Sequence, residues 1–350
     1  MKLMMLQSFL PGQSKGGVGY QVAGLASALT RKGHDVTVLS FAAAPPRVDF
    51  QVTCPRVGRP VFASRAGRLL LGPLAFAAHS YGAFDVVHAH GDNQFLYRRT
   101  IPVVRTFYGS ALEEARHAER ARRRISQRAL FLCERVGRRT ATLTVGISEN
   151  TQGSLGRLDA IIPCGVDRKL FRPGAKSHHP SLLFVGTMSG RKRGHLIVEA
   201  FRTVIRGALP DCELWLVSDR PETGRGIRNF DRPSDEQLAD LYRQAWILVH
   251  PSNYEGFGVP YIEAMASGTA IVSTENAGAR ELLGDERCGT LVPDADLGVA
   301  ILEILNDVPR RKGMEQHGRE FSGRFDWEDV AGQYEAIYEA ALHRVSRAGR

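Results

Sequence analysis

The sequence predicts an α/β protein made of two doubly wound, parallel-sheet domains. Short β-branched runs alternate with longer helical patterns, which calls for parallel sheets covered by helices on both faces. That rhythm occurs twice, on either side of IPCGVDRKLFRPG (Ile162–Gly174), a stretch with two prolines and two glycines that suits an interdomain linker. The 350 residues are enough for two domains of ordinary size.

The first series opens with the strand LMMLQSF, the helix GYQVAGLASALTRKG and the strand DVTVLSF. FDVVHAH, IPVVRTF and ATLTVGIS are its further strands. The second series starts at SLLFVGT and continues through the helix GHLIVEAFRTVIRGA, the strand ELWLVSD and the helix SDEQLADLYRQA. It closes with the strand WILVHPS, a helix from Pro260 and the strand AIVST. FDWEDVAGQYEAIYEAALHRV reads as a final helix with Asp326 as its N-cap. The boundaries drawn from this are 1–165, 166–325 and a terminal helix over 326–350. Two such domains hold their ligand in a cleft at the carboxyl ends of the strands.

Hydrophobic content of 43% and charged content of 24% are ordinary for a globular protein. MKLMMLQSFLPG reads as a first buried strand rather than a signal peptide, because Pro11-Gly12 ends it early and no small-residue cleavage site follows. RLLLGPLAFAA is too short, and too broken by Gly72-Pro73, to span a bilayer. The expectation is a cytoplasmic protein. The five cysteines have no paired spacing, which argues against a disulfide framework or a structural zinc site.

The net charge of +9 is unevenly spread. Residues 1–165 carry 22 Lys+Arg against 10 Asp+Glu, and residues 166–350 carry 24 against 27. Much of the excess lies between Glu114 and Arg139. There Ile125, Ala129, Leu132 and Val136 recur at helical spacing, which predicts an amphipathic helix with an arginine-rich outer face. Such a face is either simply solvated or meets an anionic membrane surface or a phosphate-bearing acceptor. Nucleic acid is not expected, since no recognition motif accompanies the charge.

Three strand-to-helix loops could hold a ligand. In SKGGVG, Gly16 and Gly17 let the backbone approach an anion at a helix N-terminus, although the spacing is not that of the dinucleotide fingerprint. In GTMSGRKRG, Arg191, Lys192 and Arg193 could neutralise a diphosphate without a metal. The third loop precedes the helix PYIEAMASG. Pro260 suits the first helical position, and Gly268 suits the C-terminal cap. Glu255 lies before that helix and Glu263 one turn inside it. Phe257, Gly258 and Val259 supply backbone N–H groups between them, so the stretch can meet several hydroxyls and an anionic group together. PDAD, with Asp294 and Asp296, reads as a helix cap.

With these motifs the chain resembles the retaining, nucleotide-sugar-dependent glycosyltransferases of family four, which have the GT-B fold. GGVG…LASALTRKGHDVTVL, FDVVHAH, IPCGVDRKLF, LLFVGT…KRGHLIVEAF, LADLYRQAWILVHPSNYEGFGVPYIEAMASGTAIVST and GARELL carry the resemblance over nearly the whole chain. It implies two Rossmann-like domains, the donor mostly on the second and the acceptor mainly on the first, and a last helix crossing back to the first. It also implies no metal or other cofactor, the nucleotide diphosphate sugar being a co-substrate. Glu263 would bind the donor ribose hydroxyls. Glu255 would face the donor sugar, with Phe257, Gly258 and Val259 near it. Gly16 and Gly17 would approach the diphosphate, and the basic loop would neutralise the leaving group.

Two departures stand out. The family's arginine after the glycine of the VG strand end is Thr187 here, which leaves Arg191, Lys192 or Arg193 to replace it. The family's His of T-x-H is Tyr108, which keeps a hydrogen bond but brings no positive charge. His90 and His88 lie near in sequence and could compensate. His88 suits a buried structural role, and His90 sits at a strand end before GDN.

The function expected is transfer of a hexose from a UDP- or GDP-linked sugar to a hydroxyl of a lipid-linked, cell-envelope or natural-product acceptor. The alternatives are a sugar-nucleotide epimerase or hydrolase on this fold, or a non-catalytic nucleotide-sugar-binding subunit. On the leading reading, Glu255→Ala removes transfer and leaves the fold intact.

Overall fold

A computed structural model describes residues 1–11, 17–41, 43–45, 48–55, 70–97, 100–118 and 120–348. The chain divides into two compact units. One comprises Met1–Arg116, Arg120–Gly165 and the C-terminal segment from Trp327, and the other comprises Val166–Asp326 together with the short segment that starts at His117.

The first unit holds a seven-stranded sheet. Its strands are β1 (Lys2–Leu6), β2 (Asp35–Leu39), β3 (Gln51–Thr53), β4 (Val86–Ala89), β5 (Val103–Phe107), β6 (Leu143–Gly146) and β7 (Ala160–Ile161). They run in the order β3-β2-β1-β4-β5-β6-β7, and every pair is parallel. Both faces are buried, so β1 reads as an unbroken apolar run rather than an alternating one. Leu3, Met5, Val86 and Val104 pack with Val22, Leu25 and Leu29 of the helix Gly17–Arg31. Met4, Leu6, Val87 and Val103 pack with Phe76, Tyr81 and Leu96.

The second unit holds six parallel strands: β8 (Ser181–Gly186), β9 (Glu213–Ser218), β10 (Ile227–Asn229), β11 (Ile247–His250), β12 (Ala270–Thr274) and β13 (Thr290–Val292). Their order is β10-β9-β8-β11-β12-β13. In each sheet the strand order reverses once, between β1 and β4 and between β8 and β11. A doubly wound sheet opens its ligand crevice at that point, past the carboxyl ends of the strands.

The helix Trp327–Ala348 completes the first unit. Val330, Ala331, Tyr334, Tyr338 and Ala341 form its buried stripe, at helical spacing. Two of them also have polar work. Tyr338 Oη lies 2.8 Å from His88 Nδ1, and Tyr334 Oη lies 3.0 Å from the Thr106 hydroxyl. At the start of the helix, the Trp327 indole lies where side chains on Gly24 and Gly165 would stand; a Cβ on either would come within 2.4 Å of it. Gln21 fixes the Gly165 backbone, accepting from its N–H at 2.9 Å and donating to its carbonyl at 3.0 Å.

The arginine-rich segment is a helix, Ala121–Thr140, but its orientation differs from the sequence expectation. Ile125 is 69% exposed and Leu132 61% exposed, so these two face outward beside the arginines, while Ala129 and Val136 are half-buried. The inward contacts are mixed: Phe131 packs with Phe107, Leu155 and Leu158, and the others are polar. Asn93 donates to the Gly137 carbonyl at 2.7 Å, and Glu134 receives the Ala111 N–H on both oxygens. Docking falls to Phe131 and these side-chain hydrogen bonds rather than to Ile125 and Leu132. Among the described residues, no helix is long and apolar enough to cross a membrane.

Gly24→Val is expected to push the Trp327 indole from its notch and destabilise the first unit by about 1–3 kcal/mol. A lowered midpoint in thermal unfolding would show it; an unchanged midpoint would mean the terminal helix does not depend on this notch.

Candidate active site

At the reversal point of the second sheet, the loop after β8 meets the loop after β11. The first carries Arg191, Lys192 and Arg193; the second runs from Pro251 to Gly258. Their meeting point is Glu255, a residue only 4% exposed. Lys192 Nζ lies 2.7 Å from its Oε1 and Arg191 Nη1 2.8 Å from its Oε2. His250 Nε2 donates to Oε1 at 3.0 Å. An ionised carboxylate offers about four acceptor positions. Three are filled here, which leaves one on Oε2.

Burial alone would raise the Glu255 pKa, but Lys192, His250 and Arg191 overcome it and hold the carboxyl well below its usual range. Burial, aided by the Lys192 charge, lowers the His250 pKa to about 4, so the ring is neutral near pH 7. Burial also lowers the Lys192 pKa, against the pull of Glu255. Two cations against one carboxylate leave the cluster with a net charge near +1.

The backbones of the two loops are tied together as well. The Arg191 carbonyl accepts from Asn253 N–H at 2.9 Å and from the Ser252 hydroxyl at 2.9 Å. Arg191 Nη1 also donates to the Tyr254 carbonyl at 2.9 Å.

Arg193 is occupied differently. Its backbone is left-handed, at φ 49°. Its guanidinium donates to the Pro251 carbonyl at 2.8 Å, to the Thr274 hydroxyl at 3.0 Å and to both oxygens of Asp294 at 2.5 and 2.8 Å. It works as a clasp, and Arg191 and Lys192 remain as the cations facing the carboxylate. This also corrects the reading of PDAD. Asp296 stands at the N-cap of the helix Leu297–Asn306 with no side-chain cap bond, while Asp294 is spent on Arg193. Thr187, in the family arginine's position, is exposed and turns its hydroxyl to the Ser189 carbonyl at 2.8 Å.

The helix expected from Pro260 runs Val259–Ala266. Gly258 precedes it at φ +105°, and a Cβ there would lie 2.3 Å from the Tyr261 ring. Val259 is the first helical residue. The Phe257 ring is buried edge-on against Phe325. Glu263, one turn in, keeps partial exposure, yet burial pushes its carboxyl up to about 7 against the Tyr242 hydroxyl and Lys192, which favour ionisation. It is therefore poised between a hydrogen-bond donor and an acceptor. The sequence reading missed His250 and Gly278. A Cβ on Gly278 would lie 2.6 Å from the Phe257 carbonyl and 2.9 Å from Glu255 Cβ, so this glycine makes room for the loop. His250 gave no signal, because WILVHPS reads as a buried strand.

In the first unit, His90 and Tyr108 do come together. His90 Nδ1 lies 2.9 Å from the Tyr108 hydroxyl, and its ring packs 3.9 Å from that of His88. His88 is buried, with both nitrogens partnered, and burial plus Arg105 lowers its pKa to about 3. It serves structure. Gly17 opens the helix Gly17–Arg31, with no atom of a described residue near where its side chain would stand. Gly16 lies outside the described residues.

Two parallel sheets of this order, the second with an acid–cation junction at its reversal point, are the architecture of the doubly wound α/β class that takes nucleotide-type ligands. The comparisons narrow that class. Residues 15–170 match the Glycosyltransferase Family 4 model, and residues 179–307 match Glycosyl transferases group 1. The chain belongs to the family-four glycosyltransferases. It is 29% identical to an MMP alpha-(1->4)-mannosyltransferase of Mycolicibacterium hassiacum, across 95% of this chain and 96% of that one. It is also 29% identical to a phosphatidyl-myo-inositol mannosyltransferase of Mycolicibacterium smegmatis, across 95% and 92%. Among solved structures, a sucrose-phosphate synthase of Thermosynechococcus elongatus matches with a TM-score of 0.82 at 22% identity, over 98% of this chain and 99% of that one. The fold is GT-B, and the protein is a glycosyltransferase.

The geometry revises what Glu255→Ala should do. Removing the carboxylate strands buried cations, so the variant is expected to lose about 3–5 kcal/mol of stability rather than keep an intact fold. The sign with pH follows. The folded pKa lies below the unfolded value near 4.3, so the contribution is complete above that pH and is lost as the pH falls through the folded pKa. Acid denaturation of Glu255→Gln should lack this limb; an acid profile identical to that of the wild type would remove Glu255 from its central place.

Proposed function

We propose that the protein moves a hexosyl group from a UDP- or GDP-linked sugar to an acceptor hydroxyl, with retention of configuration and without a metal. The observation that carries this reading is the junction of Arg191, Lys192 and Glu255 at the reversal point of the second sheet. Its residual positive charge suits a diphosphate. The free position on Glu255 Oε2 suits a sugar hydroxyl, and Glu263 suits the ribose. The names of the two curated relatives, both mannosyltransferases, support a hexosyl donor.

In the reaction proposed, the bond between the anomeric carbon and the phosphate oxygen breaks, and the diphosphate leaves with the electron pair. The acceptor oxygen attacks from the same face. Its proton passes to an oxygen of the departing phosphate. Arg191 and Lys192 stabilise the charge that develops there, and a fixed cation beside a developing anion is the largest aid such a reaction receives. The backbone N–H groups of Phe257, Gly258 and Val259 contribute partial positive charge at the helix start. The first unit holds the acceptor, with His90 and Tyr108 near the reacting bond. The acceptor is lipid-linked or otherwise phosphate-bearing, and the outward pair of Ile125 and Leu132 among arginines meets an anionic membrane surface.

Thermal unfolding with UDP, GDP, ADP and TDP, each with and without magnesium, tests the donor assignment. One diphosphate should stabilise selectively and independently of magnesium, by about 2.7 kcal/mol at a hundredfold excess over its dissociation constant. A shift that requires magnesium would refute the metal-free reading, and no shift with any of them would refute the donor site. For the membrane, co-sedimentation with phosphatidylglycerol vesicles should exceed that with phosphatidylcholine and fall in the double variant Ile125→Ser, Leu132→Ser. Equal sedimentation of variant and wild type would refute that surface.

A further inference from the structure

The reversal point of the first sheet holds a buried cation that the reading above leaves unused. Arg105 sits on β5, in register with Ala89 at the end of β4. It is 7% exposed, its plane lies 4.7 Å over the Phe107 ring, and it makes no hydrogen bond or ion pair with any described residue. Two carboxylates are close enough to act on it electrostatically, Glu134 and Asp92. Both are engaged elsewhere, Asp92 with the Ser8 hydroxyl and Glu134 with the Ala111 N–H at 3.1 and 3.2 Å. Burial raises the pKa of Asp92, and that of Glu134 to about 7, which weakens them as competitors for the guanidinium.

A guanidinium buried with its donors unused is unfavourable, because burial removes its water and supplies nothing in return. Arg105 Nε and Nη1 are in this state. His90 adds a second unmade bond in the same place. It is 5% exposed, its Nδ1 faces the Tyr108 hydroxyl, and its Nε2 has no partner. With the phenol donating to Nδ1, the ring proton sits on Nε2 and is free to donate. His90 and Tyr108 directly follow the carboxyl ends of β4 and β5, and Arg105 lies within β5, level with the last residue of β4, next to where this type of sheet takes a ligand.

We propose that Arg105, with His90 Nε2 beside it, forms an anion site in the first unit that receives a phosphate-type oxyanion of the acceptor. The planar fork of Arg105 matches two phosphate oxygens, and His90 donates to a third. The proposal rests on the reading that the first unit holds the acceptor. It assigns Arg105 a recognition role that no motif announced.

The test is calorimetric titration of inorganic phosphate into the full-length protein, as wild type and as Arg105→Gln, Arg105→Lys and Arg128→Gln. Saturable binding is expected in the wild type, weakened by about tenfold or more in Arg105→Gln and by less in Arg105→Lys, which keeps a point charge but not the fork. Arg128→Gln, on the exposed helix, should bind as the wild type does. Absence of phosphate binding by the wild type, or equal binding by both Arg105 variants, would overturn the proposal. If Arg105→Gln does not fold, Arg105→Lys and His90→Ala decide the matter in the same assay. An inositol phosphate and phosphatidylinositol vesicles then compete with inorganic phosphate to show whether the oxyanion is soluble or lipid-borne; competition by neither would overturn it. The nucleoside diphosphate shift, measured on the same samples, should be equal in wild type and Arg105 variants. Its absence from every protein would refute the donor site alone.

Discussion

The second unit depends on one buried ionic junction. Glu255 is the only described carboxylate that accepts from both Arg191 and Lys192, and without it the two cations would lose their shared counter-charge. A desolvated ion pair is favourable only when its remaining bonding positions are filled. His250, the Tyr254 carbonyl and the tie between Asn253 and the Arg191 carbonyl do this filling. The same demand explains the left-handed Arg193. Its strained backbone is sparsely populated for a side chain of this size. Four acceptor atoms hold it there, and the turn it makes aims its two neighbours at Glu255.

The first unit solves a different problem at its reversal point. His88, Thr106, Tyr334 and Tyr338 form a closed set of hydrogen bonds in which both ring nitrogens are used. Such a network is stable because no member is left unpaired. One strand position away, Arg105 and His90 leave bonds unmade. The contrast between a closed network and an open one, both in buried ground, separates scaffold from recognition surface within a single sheet.

Much of this was legible in the sequence, for identifiable reasons. The parallel strands were visible because strands buried on both faces are nearly all apolar, as in LLFV and WILV. The helix start was visible to within one residue, Pro260 expected and Val259 observed, because Gly258 and Pro260 each suit few positions. What stayed hidden was partner choice. Arg191, Lys192 and Arg193 look alike in a row, and only the left-handed turn at Arg193 decides which of them meets Asp294. The arginine-rich helix was found, but not which of its apolar residues face inward, because periodicity reveals that a stripe exists and not which way it faces. Arg105 was overlooked because an arginine between Val104 and Thr106 has no spacing to mark it.

The first unit is discontinuous in the chain. Its core lacks Val330, Tyr334 and Tyr338 until the terminal helix arrives, while nearly all of the second unit is encoded as one stretch, Val166–Asp326. On the ribosome the order of completion is therefore inverted. The second unit can close as soon as its last strand and helices emerge. The first, though translated earlier, waits with part of one sheet face uncovered until the terminal helix emerges. A nascent chain stalled just before Trp327 would thus be half native, with His88 and Thr106 stripped of their tyrosine partners and the uncovered part of β4 and β5 as the surface a chaperone meets.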